Sequence, residues 1–248
     1  MEFGFGSGVL TGVRTDTAGV NTPIRFGALQ DVAVEFSGDT KELYSMQSYP
    51  IDTARGKIKL TGKAKVAQIR AKMYNELFFG ETLTTGSVKY MFNESTTLAT
   101  GAASYTVANA ASTPLTDQGV FLGSDQTQYD RISSSPGSGQ YSFVASTGVY
   151  TFSTFSAGLG VLINYTYAST SGLTITSSNP LMGDTPRFQA TLFQKSPHST
   201  KQIVLVIRAA VSNRLTFPTR IDDYTIQDLD FSGFADDSGV PFVWSTSD

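Results

Sequence analysis

The stretch Gly56–Gly80, GKIKLTGKAKVAQIRAKMYNELFFG, decides the fold. Its odd positions from 57 to 65 are Lys57, Lys59, Thr61, Lys63 and Lys65. Its even positions from 58 to 66 are Ile58, Leu60, Gly62, Ala64 and Val66. A period of two with one apolar and one cationic face is a strand buried on one side. From Val66 the period lengthens to three and four. Val66, Ile69, Met73 and Leu77, with Tyr74 and Phe78 beside them, make a helical stripe. Gly80 is a natural stop for that helix. The stretch therefore predicts a strand feeding one α-helix over about 66–79. A lone helix on a β-scaffold with a cationic strand points to a building block, not an enzyme.

Composition agrees with a mainly β fold. At 248 residues the chain can make one large or two small domains, each with its own core. It has no Cys, which excludes disulfides, a thiol nucleophile and a cysteine metal site. Charged residues make up 16%, below the usual quarter or so, while Ser, Thr, Gly and aromatics are plentiful. A net charge of −3 argues against tight general binding to nucleic acid. The start, MEFGFGSGVL, lacks the basic segment and long apolar core of a secretion signal. No apolar run approaches the roughly 20 residues of a membrane helix. The expectation is synthesis in the cytoplasm and no membrane partner.

Charge is distributed unevenly. Arg55, Lys57, Lys59, Lys63, Lys65, Arg70 and Lys72 lie between Asp52 and Glu76 with no acid among them. After Arg220 come Asp222, Asp223, Asp228, Asp230, Asp236, Asp237 and Asp248, with no base. Two readings stand side by side. Either both blocks are solvated faces, or they are complementary surfaces that steer subunits together head to tail. On the second reading the assembly interface comprises Arg55, Lys57, Lys59, Lys63, Lys65, Asp222, Asp223, Asp228, Asp230, Asp236 and Asp237. Reversing Lys63 and Lys65 to Glu should then block stacking and leave the subunit folded.

The rest of the chain reads as strands. Val32, Val34 and Phe36 predict a strand over 29–37, and Ser37-Gly38-Asp39 a turn. Leu43–Pro50 connects it to the cationic strand, and a further strand is expected at 87–93. From Glu94 to Met182 the only basic residue is Arg131, yet aromatic alternation persists. Tyr141 and Phe143, a turn at Ala145–Gly148, then Tyr150 and Phe152 spell a hairpin. Val161, Ile163, Tyr165 and Tyr167 alternate on another strand. Residues 95–179 are read as an inserted small all-β, sandwich-like domain within a discontinuous domain of 1–94 and 180–248. In the latter, Arg187–Gln194 and Gln202–Ala210 form a second hairpin, Tyr224–Phe234 is a strand, and Trp244 is the only Trp.

No catalytic, cofactor or metal site is expected. The single His198 sits in a polar turn with no second His or Cys to make a dyad. Asp222, Asp223, Asp228 and Asp230 lack the loop spacing of a calcium site. Gly4, Gly6, Gly8 and Gly12 have no strand before them or helix after, so they fail the test for phosphate binding. The triplets at Asn93 and Asn164 match a glycosylation acceptor by chance. Aromatics are not interleaved with the lysines, as a single-strand nucleic-acid platform requires. Tyr141, Tyr150, Tyr165 and Tyr167 are available as sugar platforms, but their alternation fits core packing better.

One family resembles this order of segments. It runs TPIRFGALQDVAVEFSGDTKELYSMQSYPIDTARGKIKLTGKAKVAQIRAKMYNELFFG, a strand, an insert with GQYSFVASTGVYTFSTFSAGLGVLINYTY, then MGDTPRFQATLF, a strand pair and DLDFSGFADDSG. The chain resembles a major tail tube protein of a tailed bacteriophage, the tube-like part lying at 23–93 and 183–240. The resemblance implies a β-sandwich or half-barrel with one flanking helix. Six subunits would close a ring, lending strands to an inner β-barrel, and stacked rings would form the conduit for DNA ejection. Partners would be the chain itself, tape measure, terminator or baseplate components, and phage DNA only in transient, non-specific contact. No cofactor is implied, and the location would be the virion tail, after synthesis in the host cytoplasm. Segments 1–22, 38–55 and 235–248 would order on the next ring. An acidic lumen is common in such tubes, so the lysine face of 57–65 is expected away from it. A capsid or tail decoration or carbohydrate-binding β-module is the alternative, and a β-rich hydrolase comes last for want of a nucleophile–base pair.

Overall fold

The computed structural model describes residues 6, 8–17, 19, 21–68, 70–99, 104–154, 158–196, 200–219 and 221–247. The protein is mainly β-strand with one short helix. In chain order the elements are β1 (Val9–Arg14), β2 (Ile24–Arg25), β3 (Leu29–Tyr44), β4 (Pro50–Val66), α1 (Ala71–Tyr74) and a π-helical turn (Asn75–Phe79). Then come β5 (Leu83–Thr97), β6 (Ser104–Thr106), β7 (Thr116–Leu122), β8 (Asp130–Arg131), β9 (Gln140–Val144), β10 (Val149–Phe152) and β11 (Gly160–Ile175). The chain ends with β12 (Arg187–Lys195), β13 (Gln202–Thr216), β14 (Gln227–Phe234) and β15 (Phe242–Thr246). Two compact units result: Met1–Leu83 with Ile175–Asp248, and Thr84–Thr174.

In the first unit one sheet runs β2-β1-β12-β13-β14-β4-β3, and β15 pairs with the early part of β13. Leu60, Gly62, Ala64 and Val66 face inward from β4, as their even spacing requires. They meet Leu10, Phe188 and Phe231, with Met73 and Leu77 packed in the same cluster. Each fully buried large apolar side chain adds about 1.5–3 kcal/mol. Small residues set the spacing. A Cβ on Gly62 would stand 2.1 Å from the Phe231 ring, and one on Gly12 would stand 2.7 Å from Leu77 Cδ2. Both glycines admit a large side chain from the facing element.

Two expectations are corrected. The helix does not begin at 66. Val66 is laddered to Gln227 on β14 and Leu29 on β3, so its backbone is committed to the sheet. Helix starts only at Ala71, makes one α turn and widens into the π turn, where Gly80 N–H reaches Asn75 O at 2.6 Å. Val66, Met73 and Leu77 are buried together, although Val66 contributes from a strand. Ile69, the remaining member of the stripe, lies outside the described residues. Gly80 does end the element in a left-handed conformation, φ 73°.

The turn at Ser37-Gly38-Asp39 is a bulge in a continuous strand. Gly38 pairs with Ile58 and Thr40 with Arg55, so Gly56 and Lys57 stand opposite Asp39 alone. β3 and β4 thus run on as an arm, its outer part, 37–44 and 50–59, exposed on both faces, while Phe36 at its base meets Phe242 of β15.

The unit boundaries fall at 83/84 and 174/175, earlier than the composition change at 94/95 and 179/180. β5 and β11 are ladder neighbours. Thr84 Oγ1 donates to Thr174 O at 3.3 Å, and Ser87 Oγ to Ser171 O at 2.6 Å. Strands joined this way belong to one unit, whatever their charge content. Ser178, beyond the boundary, donates from backbone N and Oγ to Glu81 Oε1, both at 2.8 Å. The second unit has two sheets, β5-β11-β7 and β6-β10-β9-β8, around a core that includes Val120, Tyr150, Phe152, Ile163 and Tyr165. The predicted hairpin is β9–β10, with Tyr141 paired to Phe152.

Candidate assembly surface

The two charge blocks meet within a single chain along part of their length. Asp230 on β14 lies between Arg214 on β13 and Lys63 on β4. One pair further along, Asp228 lies between Thr216 and Lys65, and Lys65 is flanked on its other side by Asp31 of β3. Arg214 Nη1 stands 3.7 Å from Asp230 Oδ2. Three bases and three acids therefore alternate across four strands on the face opposite the core. Opposite charges paired across strands support the sheet by about 0.2–1 kcal/mol each.

The other predicted interface residues are dispersed. Arg55, Lys57 and Lys59 lie on the arm, exposed, past the last β14 partner of β4, Leu60. Asp222 and Asp223 sit in the exposed connection before β14, where Asp223 Oδ1 accepts the Tyr224 N–H at 2.8 Å. Asp236 and Asp237 line a recess of about 540 Å³ that also holds Arg187 and Arg208. Asp236 Oδ1 accepts the backbone N–H groups of Ser238 and Val240, both at 3.0 Å, and so shapes the turn into β15. Among the described residues no group of three or more His, Asp or Glu could hold a metal ion. His198 lies outside the described residues.

The arm carries the feature that charge reading missed. Tyr44, Met46, Tyr49 and Ile51 around its tip are all exposed, and so is Ile58 nearer its base. The signal was present in the sequence as a cluster of large apolar residues with no period that would bury them. Across from the base, Phe242 of β15 meets Phe36 of β3 with ring centroids 4.8 Å apart. Trp244, two residues on, is 63% exposed.

No protein-family model and no curated protein matches the chain.

In the second unit three of the four candidate sugar platforms are internal, and Tyr167 is half-buried against the same core. Tyr141, Tyr150 and Tyr165 are buried, and their hydroxyls serve two carboxylates. Asp117 accepts from Tyr141 at 2.6 Å and Tyr150 at 2.9 Å, with Arg131 Nη1 at 3.6 Å. Glu94 accepts from Tyr165 at 2.5 Å and Tyr105 at 2.8 Å. Burial raises the pKa of Tyr141 and Tyr150, and the negative charge and hydrogen bonds of Asp117 raise them further. The aromatics that do reach the surface are others: Tyr90 and Phe92, with Val88, along one face of β5. Asn164 is buried with its Oδ1 accepting Asn93 N–H at 2.8 Å, which leaves no room for a glycan. No helix among the described residues is long and apolar enough to cross a membrane.

Proposed function

We propose that the chain is a non-enzymatic virion structural protein that assembles into rings, six subunits in each, stacked as the tail tube of a tailed bacteriophage. The observation that carries this reading is the β3–β4 arm. A solitary subunit gains nothing by holding out a ribbon tipped with Tyr44, Met46, Tyr49 and Ile51. A subunit that polymerises gains a contact for each one. The mainly β first unit, with its single short helical element against the sheet, is compatible with the tube-like sandwich or half-barrel that the segment order resembles. A ring in which neighbouring sheets continue one another leaves no free edge. The lattice of Arg214, Lys63, Lys65, Asp228, Asp230 and Asp31 balances its own charge, so it would not hold passing DNA as a bare lysine face would. Its partners would be further copies of itself, tape measure, terminator and baseplate components, in the virion tail after synthesis in the host cytoplasm.

Negative-stain electron microscopy over a concentration series tests the proposal. Hollow rings or tubes with a regular axial repeat are the expected result. Dispersed particles at every concentration and salt would reject it. A decoration or carbohydrate-binding module is the second reading, favoured by the exposed Tyr90 and Phe92, whose ring centroids lie 6.5 Å apart. Retention on immobilised polysaccharide, lost in Tyr90→Ala with Phe92→Ala, would support that reading instead.

A further inference from the structure

We infer that the recess beside the β12–β13 ladder binds a carboxylate carried on a small apolar body, with Arg187 and Arg208 gripping the carboxylate. The recess lies wholly within the first unit, so the site does not rest on the tube reading above. Register builds it. Phe188 pairs with Ala210 and Ala190 with Ile207, so Gln189 alone faces both Arg208 and Ala209. Such a bulge re-aims the side chains of the strand that carries it. Arg187 and Gln189, two apart, share a face of β12, and Arg208 comes beside them in the recess. Both arginines are fixed at the backbone. The Arg187 N–H donates to the Asp16 carboxylate, and its carbonyl accepts the Thr15 N–H at 2.8 Å. The Arg208 N–H donates to Pro241 O at 3.0 Å. The Arg187 guanidinium lies over the Phe234 ring, 5.6 Å from its centroid. Such a contact orients a guanidinium and leaves its N–H donors open.

Charge then selects the ligand. Two of the three acids in the recess are engaged. Asp16 takes Arg14 Nε at 2.7 Å and Nη2 at 3.0 Å. Asp236 Oδ1 accepts from the turn N–H groups of Ser238 and Val240. Asp237 is exposed, with no ion-pair partner among the described residues. Neither the Arg187 nor the Arg208 guanidinium has a hydrogen bond or ion pair to an acid among them. Two uncommitted guanidiniums therefore share the recess with one uncommitted carboxylate. A guanidinium fork matches an incoming carboxylate with two parallel bonds. At about 540 Å³ the recess falls within the range of about 300–1,000 Å³ usual for small-molecule sites, more than a bare ion would fill. Phe234, Ala209 and Ala235 give it an apolar wall. A dianion such as phosphate would meet repulsion from Asp236 and Asp237 and make no use of that wall. A monoanion with an apolar body suits both.

Saturation-transfer NMR titrations on the full chain test the site with hydrocinnamate, N-acetylphenylalanine, the primary amide of N-acetylphenylalanine, and acetate. Both phenyl acids should bind. The amide, which lacks the carboxylate, and acetate, which lacks the body, should each bind at least about tenfold more weakly. Arg187→Gln and Arg208→Gln should each weaken hydrocinnamate at least about tenfold, and Arg208→Lys should recover only part of the loss, because it keeps the charge without the fork. Asp237→Asn removes the one uncommitted acid and should tighten binding. All three positions are exposed, so these variants do not depend on core packing. Equal affinity for the two phenyl acids would assign the site to free organic acids, and a clear preference for N-acetylphenylalanine would assign it to the C-terminus of a peptide chain. An amide that binds as tightly as its acid would overturn the carboxylate, and acetate as tight as hydrocinnamate, or displacement by equimolar inorganic phosphate, would overturn the apolar body. No transfer to either phenyl acid, binding that survives both arginine substitutions, or weaker binding in Asp237→Asn would overturn the site itself.

Discussion

Tyr165 shows how the second unit keeps a polar group in its core. Its hydroxyl donates to Glu94 at 2.5 Å and accepts from Asn109 Nδ2 at 2.9 Å. Burial, and then the hydrogen bond to Glu94, push its pKa up to about 12. The unfolded chain would ionise the same phenol near its ordinary value of about 10. The folded state therefore holds a proton that the unfolded state gives up. Its contribution is whole below pH of about 10 and is lost as pH rises through about 12. Tyr141 and Tyr150, shifted the same way, add to the loss. Denaturant midpoints taken from roughly pH 9 to 12 should fall steeply, and Tyr165→Phe should flatten the slope while lowering the midpoint at neutral pH. Equal slopes for the two proteins would show that Tyr165 is not held neutral. The tyrosine alternation was legible in sequence as a core. Its carboxylate partners were not, because Glu94 stands 71 residues from Tyr165, and Asp117 24 from Tyr141, with no local pattern to link them.

At the scale of elements, β4 was legible as a strand because its inward face obeys a period of two. Its partners were not, since strand order depends on contacts distant in sequence. That gap changes the meaning of the lysines. Charge reversal at Lys63 and Lys65 was expected to spare the fold, but Lys65 lies between Asp31 and Asp228. Lys65→Glu would set three acids in a row across three strands, at a cost of about 0.5–2 kcal/mol from two like-charge pairs. Lys59→Glu, beyond the lattice and paired with Ser37, should stay within about 0.5 kcal/mol of the parent. Urea midpoints at low salt compare the two directly, and high salt should shrink the difference. If both variants unfold alike, the lattice contributes nothing to the sheet. The helix was misjudged for a related reason. Val66 satisfies the helical stripe and the strand alternation equally well, and only its two ladders decide between them.

At the scale of the molecule, the loss of basic residues after Lys89 reads as an insertion with edges at 94/95 and 179/180, whereas the compact units divide at 83/84 and 174/175. Composition changes where surfaces change, whereas a unit ends where its last ladder ends. The two definitions predict different proteins on excision. Replacing Thr84–Thr174 by a short Gly/Ser link joins Leu83 to Ile175 and keeps the Ser178–Glu81 hydrogen bonds of the first unit. Replacing Glu94–Asn179 removes Ser178 and β11, and strands the first part of β5 with Val88, Tyr90 and Phe92 exposed and no ladder partner. An unpaired apolar strand recruits other chains by its edge. The first deletion should elute as a folded species with one cooperative thermal transition, because the core around Leu60, Phe188 and Phe231 loses no member. The second should aggregate during refolding. Size exclusion and thermal melting of the two deletions side by side decide the matter. If the Thr84–Thr174 deletion also aggregates, the first unit needs the second in order to fold, and the arm must then be tested only in the full chain.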